Sequence, residues 1–296
     1  MSMRKQFVTT VEKKLRLDEK VVLLLGDIGV FGFNKAFTDF ANRVYNIGIL
    51  EPATVSLASG LAQSGLIPVV HTIAPFLIER SFEQIKIDFG YQKLGGNFVS
   101  VGASYDYASL GCTHHCPGDV GLLQNIPGVE IIVPGTASEF NSLFSQAYDD
   151  GLPTYYRLSE RENDNAQNVV IGQANVLKTG SLATVVAFGP TLNYVMPAAE
   201  GLDVGVLYYT TVSPFDEKTL RENVAKTGKI MLVEPFYSGT TAYQVMKALE
   251  GMSARIEFIG VPKEFLTHYG QAAEHDDAIG LTVNNIREKL EALIHD

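Results

Sequence analysis

The chain has 296 residues, 46% of them apolar and 19% charged, a balance that suits a folded protein with room for two cores and excludes long disorder. Its net charge of −10 disfavours nucleic acid or an anionic membrane surface as partner, while leaving room for a locally built phosphate site. Only two cysteines occur, Cys112 and Cys116, which excludes a disulfide framework and points to a reducing cytoplasm. The N-terminal segment has no apolar run of the signal-peptide kind, and runs such as Val21–Leu25 fall far short of the roughly 20 residues that span a bilayer. A soluble cytoplasmic protein is expected.

In chain order, short β-branched runs alternate with stretches of helical period, the pattern of a mostly parallel sheet covered by helices. Strands are expected at Val21–Leu25, Val44–Ile49, Ile67–Val70, Asn97–Val101, Val129–Val133 and Thr154–Leu158. Helices are expected at Lys35–Arg43, Pro52–Ser64, Phe76–Gly90 and Ala137–Asp150. The polar stretch Ser159–Asn168 then reads as a linker. A second α/β pattern follows, with strands at Ser181–Phe188, Val204–Tyr209, Lys229–Glu234 and Arg255–Gly260. Its helices fall at Asn193–Glu200, Glu217–Lys226, Thr241–Glu250 and Val283–Ile294. The fold class expected is α/β in two domains, residues 1–160 and 172–296, each a mostly parallel sheet flanked by helices.

Three segments carry candidate chemistry. In Asn46–Ala62 a carboxylate, Glu51, stands where a strand gives way to a helix, with Pro52 suited to the first helical position. Ligands of open α/β sheets bind at that edge; the plainer reading is an acidic residue complementing the helix dipole. In His71–Gln84, Phe76 follows a strand at the same edge, where an aromatic could stack on a flat ring, although most phenylalanines simply pack in cores. His71 and Arg80 read by default as a satisfied histidine and a surface arginine. In Gly111–Cys116 two histidines stand side by side in a loop. Four zinc-type ligands within five residues converge poorly on a tetrahedral ion, so contact with substrate or phosphate oxygens is the better functional reading, with loop hydrogen bonding as the plain one. No metal ligands are assigned.

Together these segments resemble the transketolase family, in order and over nearly the whole chain. Leu23–Gly29 (LLLGDIG) resembles the family's strand ending in Ala-Asp-Leu-Gly, and Asn46–Glu51 (NIGILE) its Asn-Val-Gly-Ile-Ala-Glu. Arg80–Ile85 (RSFEQI) resembles the Arg-Ala-Phe-Glu-Gln-Val of split transketolases. Gly111–His115 (GCTHH) resembles the Gly-x-Thr-His-His or Gly-x-Thr-His-Gln loop shared with deoxyxylulose-phosphate synthases. Asn125–Glu139 and Thr210–Leu220 resemble later segments of the same proteins. The ordered set is more specific than any one motif.

The resemblance implies a thiamine diphosphate enzyme that transfers a two-carbon ketol unit between sugars or sugar phosphates. By position, Glu51 matches the carboxylate that hydrogen-bonds N1′ of the cofactor's aminopyrimidine, and Phe76 the aromatic that stacks on that ring. Asp27 and Arg80 match cofactor-side positions, and His114 the histidine that contacts substrate oxygens, with His115 beside it. Ile73, Pro52, Glu79, Cys112 and Cys116 depart from the family's pattern, and these departures bear on the sugar substrates more than on the cofactor. The family's diphosphate-binding domain carries Gly-Asp-Gly followed by an asparagine ligand to Mg²⁺. Here Gly26-Asp27 is followed by Ile28, and Gly118-Asp119 by Val120. The resemblance therefore implies a partner chain that brings the diphosphate and the Mg²⁺ or Ca²⁺, in an α2β2 assembly. Two other readings are a β-type subunit of a 2-oxoacid dehydrogenase, which the Thr-His-His loop disfavours, and a non-catalytic assembly subunit, which Glu51 disfavours.

Overall fold

A computed structural model describes residues 1–295. The first sheet has seven strands in the order β10-β5-β6-β4-β3-β1-β2: β1 (Val21–Leu25), β2 (Val44–Asn46), β3 (Ile67–Ile73), β4 (Gly96–Val101), β5 (Glu130–Ile132), β6 (Pro153–Arg157) and β10 (Thr211–Ser213). The first six run parallel; β10 pairs antiparallel with β5. The second sheet has the order β12-β11-β8-β9-β7, from β7 (Asn175–Lys178), β8 (Ala183–Phe188), β9 (Val204–Tyr209), β11 (Lys229–Tyr237) and β12 (Arg255–Val261), with β7 antiparallel.

Strand β1 is buried on both faces, so successive residues enter opposite halves of the core. Val21, Leu23 and Leu25 meet α1 (Met3–Leu17) and, later in the chain, α6 (Ala137–Ala147). Val22 and Leu24 belong to the other half, with Val55 and Ala58 of α3 (Glu51–Gln63). Helix α1 is not among the expected elements, yet its logic is simple. Met3, Phe7, Val11 and Leu15 recur every fourth residue, line one face and are fully buried. Ser2 caps it by accepting from the Lys5 N–H. Each such side chain contributes about 1.5–3 kcal/mol on burial, which is why the segment folds back rather than remaining a tail.

Other boundaries move for identifiable reasons. Strand β3 runs three residues beyond its expected end, through His71 and Thr72 to Ile73, because His71 Nδ1 donates to the Val99 carbonyl and its ring is fully buried. The helix expected over Phe76–Gly90 is two π-helical turns, Pro75–Glu79 and Ile85–Tyr91, around a short α4 (Phe82–Gln84). Such turns cluster at functional sites. The helix expected at Lys35–Arg43 is the shorter α2 (Asn34–Asp39), and α5 (Asp119–Leu123) is an addition.

The second domain carries α7 (Leu192–Ala198), α8 (Glu217–Thr227), α9 (Ala242–Ala248), α10 (Ala272–Ile279) and α11 (Val283–His295). Two features tie the domains together. Strand β10 leaves its own domain to extend the first sheet. The stretch that reads as a linker is strapped down: Glu162 accepts from the Met3 and Ala137 N–H groups, Asn163 donates to the Gly189 carbonyl, and the Gln167 N–H donates to Glu139. Among the described residues no helix is long and apolar enough to cross a membrane.

Candidate active site

The cleft lies at the C-terminal edge of the first sheet, where β1, β2 and β3 end. Glu51 opens α3, with Pro52 at the second helical position, where the missing N–H is again one that no intrahelical carbonyl would accept. The Glu51 side chain is 2% exposed. Oε2 accepts from Arg80 Nη1 at 2.7 Å, whereas Oε1 is buried without a partner. An orphaned carboxylate oxygen costs the fold at least about 1–3 kcal/mol, and such a group calls for an explanation.

A cavity of about 260 Å³ opens beside it, lined by Gly26, Asp27, Glu51, Thr72, Ile73 and Phe76 among others. Gly26 packs so closely on Thr72 that an added Cβ would lie 3.0 Å from the Thr72 Cβ, so a larger residue there would crowd the cavity lining. Asp27 sits exposed at the rim with φ of +64°, held by exchange with Asn46: its N–H donates to Asn46 Oδ1 at 2.9 Å, and Asn46 Nδ2 donates back at 3.2 Å. A non-glycine residue in that region carries strain that recurs at ligand sites. Two residues on, Gly29 takes φ of +83° with its Cα pressed on the buried His71 ring, where a Cβ would come within 2.8 Å.

Phe76, half-buried, forms the aromatic wall. The Arg80 guanidinium lies over its ring at 4.3 Å, and His114 packs edge-on at 5.4 Å between centroids. His114 Nδ1 is 3.0 Å from the Thr113 hydroxyl, which fixes the plane of the imidazole. The fold thus gathers Glu51, Phe76, Arg80 and His114, with Asp27, around one cleft from four separate segments. Arg80 does not line the cavity; its contacts are with Glu51 and Phe76, so it supports the ring-facing groups. His115 is placed differently. It is 7% exposed and packs against His275 of α10 at 5.4 Å, with neither ring nitrogen hydrogen-bonded. Burial pushes its pKa down, helped by the neighbouring His275 and His114.

Beneath this loop is a group that sequence reasoning missed. Arg157 and Asp119, 1% and 0% exposed, pair at 2.8 Å, and Arg157 also donates to Ser104 while Tyr155 donates to Asp119. The signal was an arginine inside the otherwise apolar strand Thr154–Leu158. Beside them burial pushes the Cys116 thiol well above its ordinary value, with the Asp119 and Glu79 charges adding to it. The Glu79 carboxyl is itself raised, by burial first and by Asp119, against a lowering hydrogen bond with Cys116. Cys112 is exposed and Cys116 buried. Among the described residues no three His, Cys, Asp or Glu side chains converge as metal ligands.

Comparison with known proteins gives the family. Residues 1–164 match the transketolase pyrimidine binding domain and residues 172–286 the transketolase C-terminal domain. The chain is 36% identical over 291 residues to an uncharacterised 33.6 kDa protein in the fasciation locus of Rhodococcoides fascians, covering 97% of this chain and 93% of that one. It is 29% identical to an apulose-4-phosphate transketolase subunit of Phocaeicola vulgatus, over 90% of this chain and 89% of the relative. A split-gene transketolase solved as an inactive beta4 tetramer superposes with a TM-score of 0.88 at 23% identity, covering 100% of this chain and 98% of that one. The chain belongs to the transketolase family, as a pyrimidine-binding domain followed by the family's C-terminal domain.

Proposed function

We propose that this chain is the pyrimidine-binding subunit of a split, thiamine diphosphate-dependent transketolase that moves a ketol unit between sugars or sugar phosphates. The observation that carries the reading is Glu51 Oε1, a buried carboxylate oxygen without a partner, beside a cavity whose wall is an aromatic ring. An ionised carboxylate can only accept, so the missing partner is a donor. A protonated ring nitrogen of a flat aminopyrimidine, stacked on Phe76, meets both requirements. When bound, the cofactor supplies the nucleophilic carbon and the electron sink for breaking a C–C bond next to a carbonyl. Glu51 holds and shares the proton at the ring nitrogen, Phe76 orients the ring, Arg80 steadies both, and His114 offers its imidazole to the sugar oxygens.

The cavity is smaller than the ~300–1,000 Å³ of complete small-molecule sites, as befits half a site. The other half, carrying the diphosphate and Mg²⁺ or Ca²⁺, is assigned to a partner subunit in an α2β2 assembly. The Phocaeicola relative, itself named as one subunit of a transketolase, and the split-gene neighbour support this division. The test is to co-express the chain with a Gly-Asp-Gly-containing partner, purify the complex and screen ketose donors, using Glu51→Gln as the control. Ketol transfer that falls by about 10²-fold or more in Glu51→Gln, within the range for a lost proton-transfer group, supports the reading. Unchanged turnover in that variant removes Glu51 from the chemistry, and oxidative decarboxylation with lipoamide transfer would move the chain to the 2-oxoacid dehydrogenase class.

A further inference from the structure

The loop that carries His114 is held by two domains. On the pyrimidine-domain side, Asp106 accepts from Ser159 and from the Glu160 N–H, and Asp119 pairs with Arg157. On the other side every contact comes from the C-terminal domain. Ser104 donates to the Pro235 carbonyl, and the Tyr237 N–H donates to the Pro117 carbonyl at 3.0 Å. The Tyr269 ring presses on Gly111, where a Cβ would lie 2.6 Å from it. From α10, Asp276 accepts from Tyr105 and from Arg161, the latter at 2.6 Å, and His275 packs on Tyr105 at 5.3 Å and on His115 at 5.4 Å.

We propose that the C-terminal domain acts on the substrate loop through α10, with His275 as a positioning residue that fixes, by way of His115, where His114 stands in the cleft. This rests on His114 being the substrate-contacting histidine. The chain of contacts is short: the His275 ring meets the His115 ring, one peptide bond separates His115 from His114, and His114 meets Phe76 at 5.4 Å. His275 is 2% exposed, and its Nε2 and both nitrogens of His115 lack hydrogen-bond partners. A cluster of unpaired buried nitrogens is poor glue, since apolar side chains would pack there at less cost. Its value lies in holding two rings at a defined angle (84° between planes) directly behind the working histidine. Small displacements at a reacting centre are expensive, about 10²-fold for 1 Å, so a loose support shows in substrate handling before it shows in folding.

Two variants test this, His275→Ala and the milder His275→Asn, which keeps a polar side chain behind His115 and so carries the test if the first does not fold. Hydrogen exchange is measured on the full chain over the loop 103–118 and, for comparison, over β8 and β9. Kinetics are measured on the complex reconstituted with the partner. Exchange in the loop about 10-fold faster than in the unsubstituted chain, equivalent to ~1.4 kcal/mol, is expected, with β8 and β9 unchanged. The sugar KM rises by a similar factor while thiamine diphosphate affinity holds. Unchanged loop exchange in both variants overturns the proposal, as does faster exchange spread evenly through the C-terminal domain, or a loosened loop with an unchanged sugar KM. If the unsubstituted complex transfers no ketol unit at all, the function proposed above fails separately, and loop exchange alone decides the positioning role.

Discussion

Arg80 reaches Glu51 from outside the cavity, taking Oε2 at 2.7 Å and leaving Oε1 buried without a partner in a residue that, with Phe76, lines the cavity. One guanidinium therefore fixes the rotation of the carboxylate and, lying 4.3 Å over Phe76, one face of the aromatic wall. On the function proposed above, the remaining oxygen and the remaining face are the two surfaces that a flat nitrogen ring would take.

Removing that support separates placement from chemistry. Arg80 is 43% exposed, so solvent screens its charge, whereas Glu51 is 2% exposed. Arg80→Ala leaves the buried Glu51 carboxylate without its partner, so it is expected to lower the unfolding free energy by about 1–3 kcal/mol and to weaken thiamine diphosphate binding by about 10-fold, or ~1.4 kcal/mol. Arg80→Lys restores the charge without the planar fork and recovers only part of the loss. Calorimetric titration of the reconstituted complex measures both, and equal affinity in all three proteins would remove Arg80 from the site.

Phe76 offers a second measurement on the same wall. Stacking of a nucleobase-like ring on an aromatic side chain contributes about 1–3 kcal/mol. Phe76→Ala is expected to raise the cofactor dissociation constant by roughly 5- to 150-fold, while Phe76→Tyr stays close to the parent. A half-buried ring at the cleft leaves little cavity when truncated, so urea unfolding of Phe76→Ala remains near the parent's. A large loss of stability with intact cofactor binding would make Phe76 a core residue.

Much of this is legible in the sequence, and the gaps have physical causes. Glu51 and Phe76 each follow a strand at the edge where open α/β sheets bind ligands, but local pattern alone favours plainer readings, and it is the resemblance to the transketolase family that singles them out together with His114. The link between Arg80 and Glu51 cannot be found in the sequence, since nothing local says that side chains 29 residues apart will meet. The spacing of Met3, Phe7, Val11 and Leu15 announces α1, but a segment at the chain start invites reading as a targeting signal before it is read as a helix. Strand β10 is three residues long and takes its identity wholly from β5, its neighbour in another domain. The His115–His275 contact is likewise tertiary, which is why His115 reads as a substrate residue in the loop motif yet packs away from it in the fold.

Acid should loosen the protein through His71. Burial, opposed by its bond to the Val99 carbonyl, brings its pKa down from 6.5 to about 4. Because the unfolded chain then binds a proton that the folded chain refuses, stability is full above about pH 6.5 and falls as pH drops towards 4. Between about pH 7.5 and 4.5 this one group removes roughly 2–3 kcal/mol. His71→Gln cannot titrate, so its unfolding free energy in urea should fall by about 2 kcal/mol less than the parent's over that range. Parallel losses in the two proteins would assign the acid sensitivity to other groups.

The buried pair Asp119–Arg157 sets the limit on how far the His114 loop can be redesigned. Both side chains are almost wholly shielded, so the attraction at 2.8 Å is offset by the cost of drying two charges, and the pair as a whole contributes little net stability. Breaking it is another matter. Asp119→Asn takes away the arginine's paired charge and leaves it buried with Ser104, the face of Phe236 5.7 Å away and the charge of Asp106 to answer it. That variant is expected to lose about 3–5 kcal/mol of unfolding free energy, visible as a lower urea midpoint, with the loop 103–118 the first region to exchange. The double variant Asp119→Asn, Arg157→Met removes both charges at nearly the same volume, and it should regain most of the loss. Additive losses in the double variant would mean that each side chain is held by its other hydrogen bonds, to Tyr155 and Ser104, and that the ion pair itself is incidental to the loop.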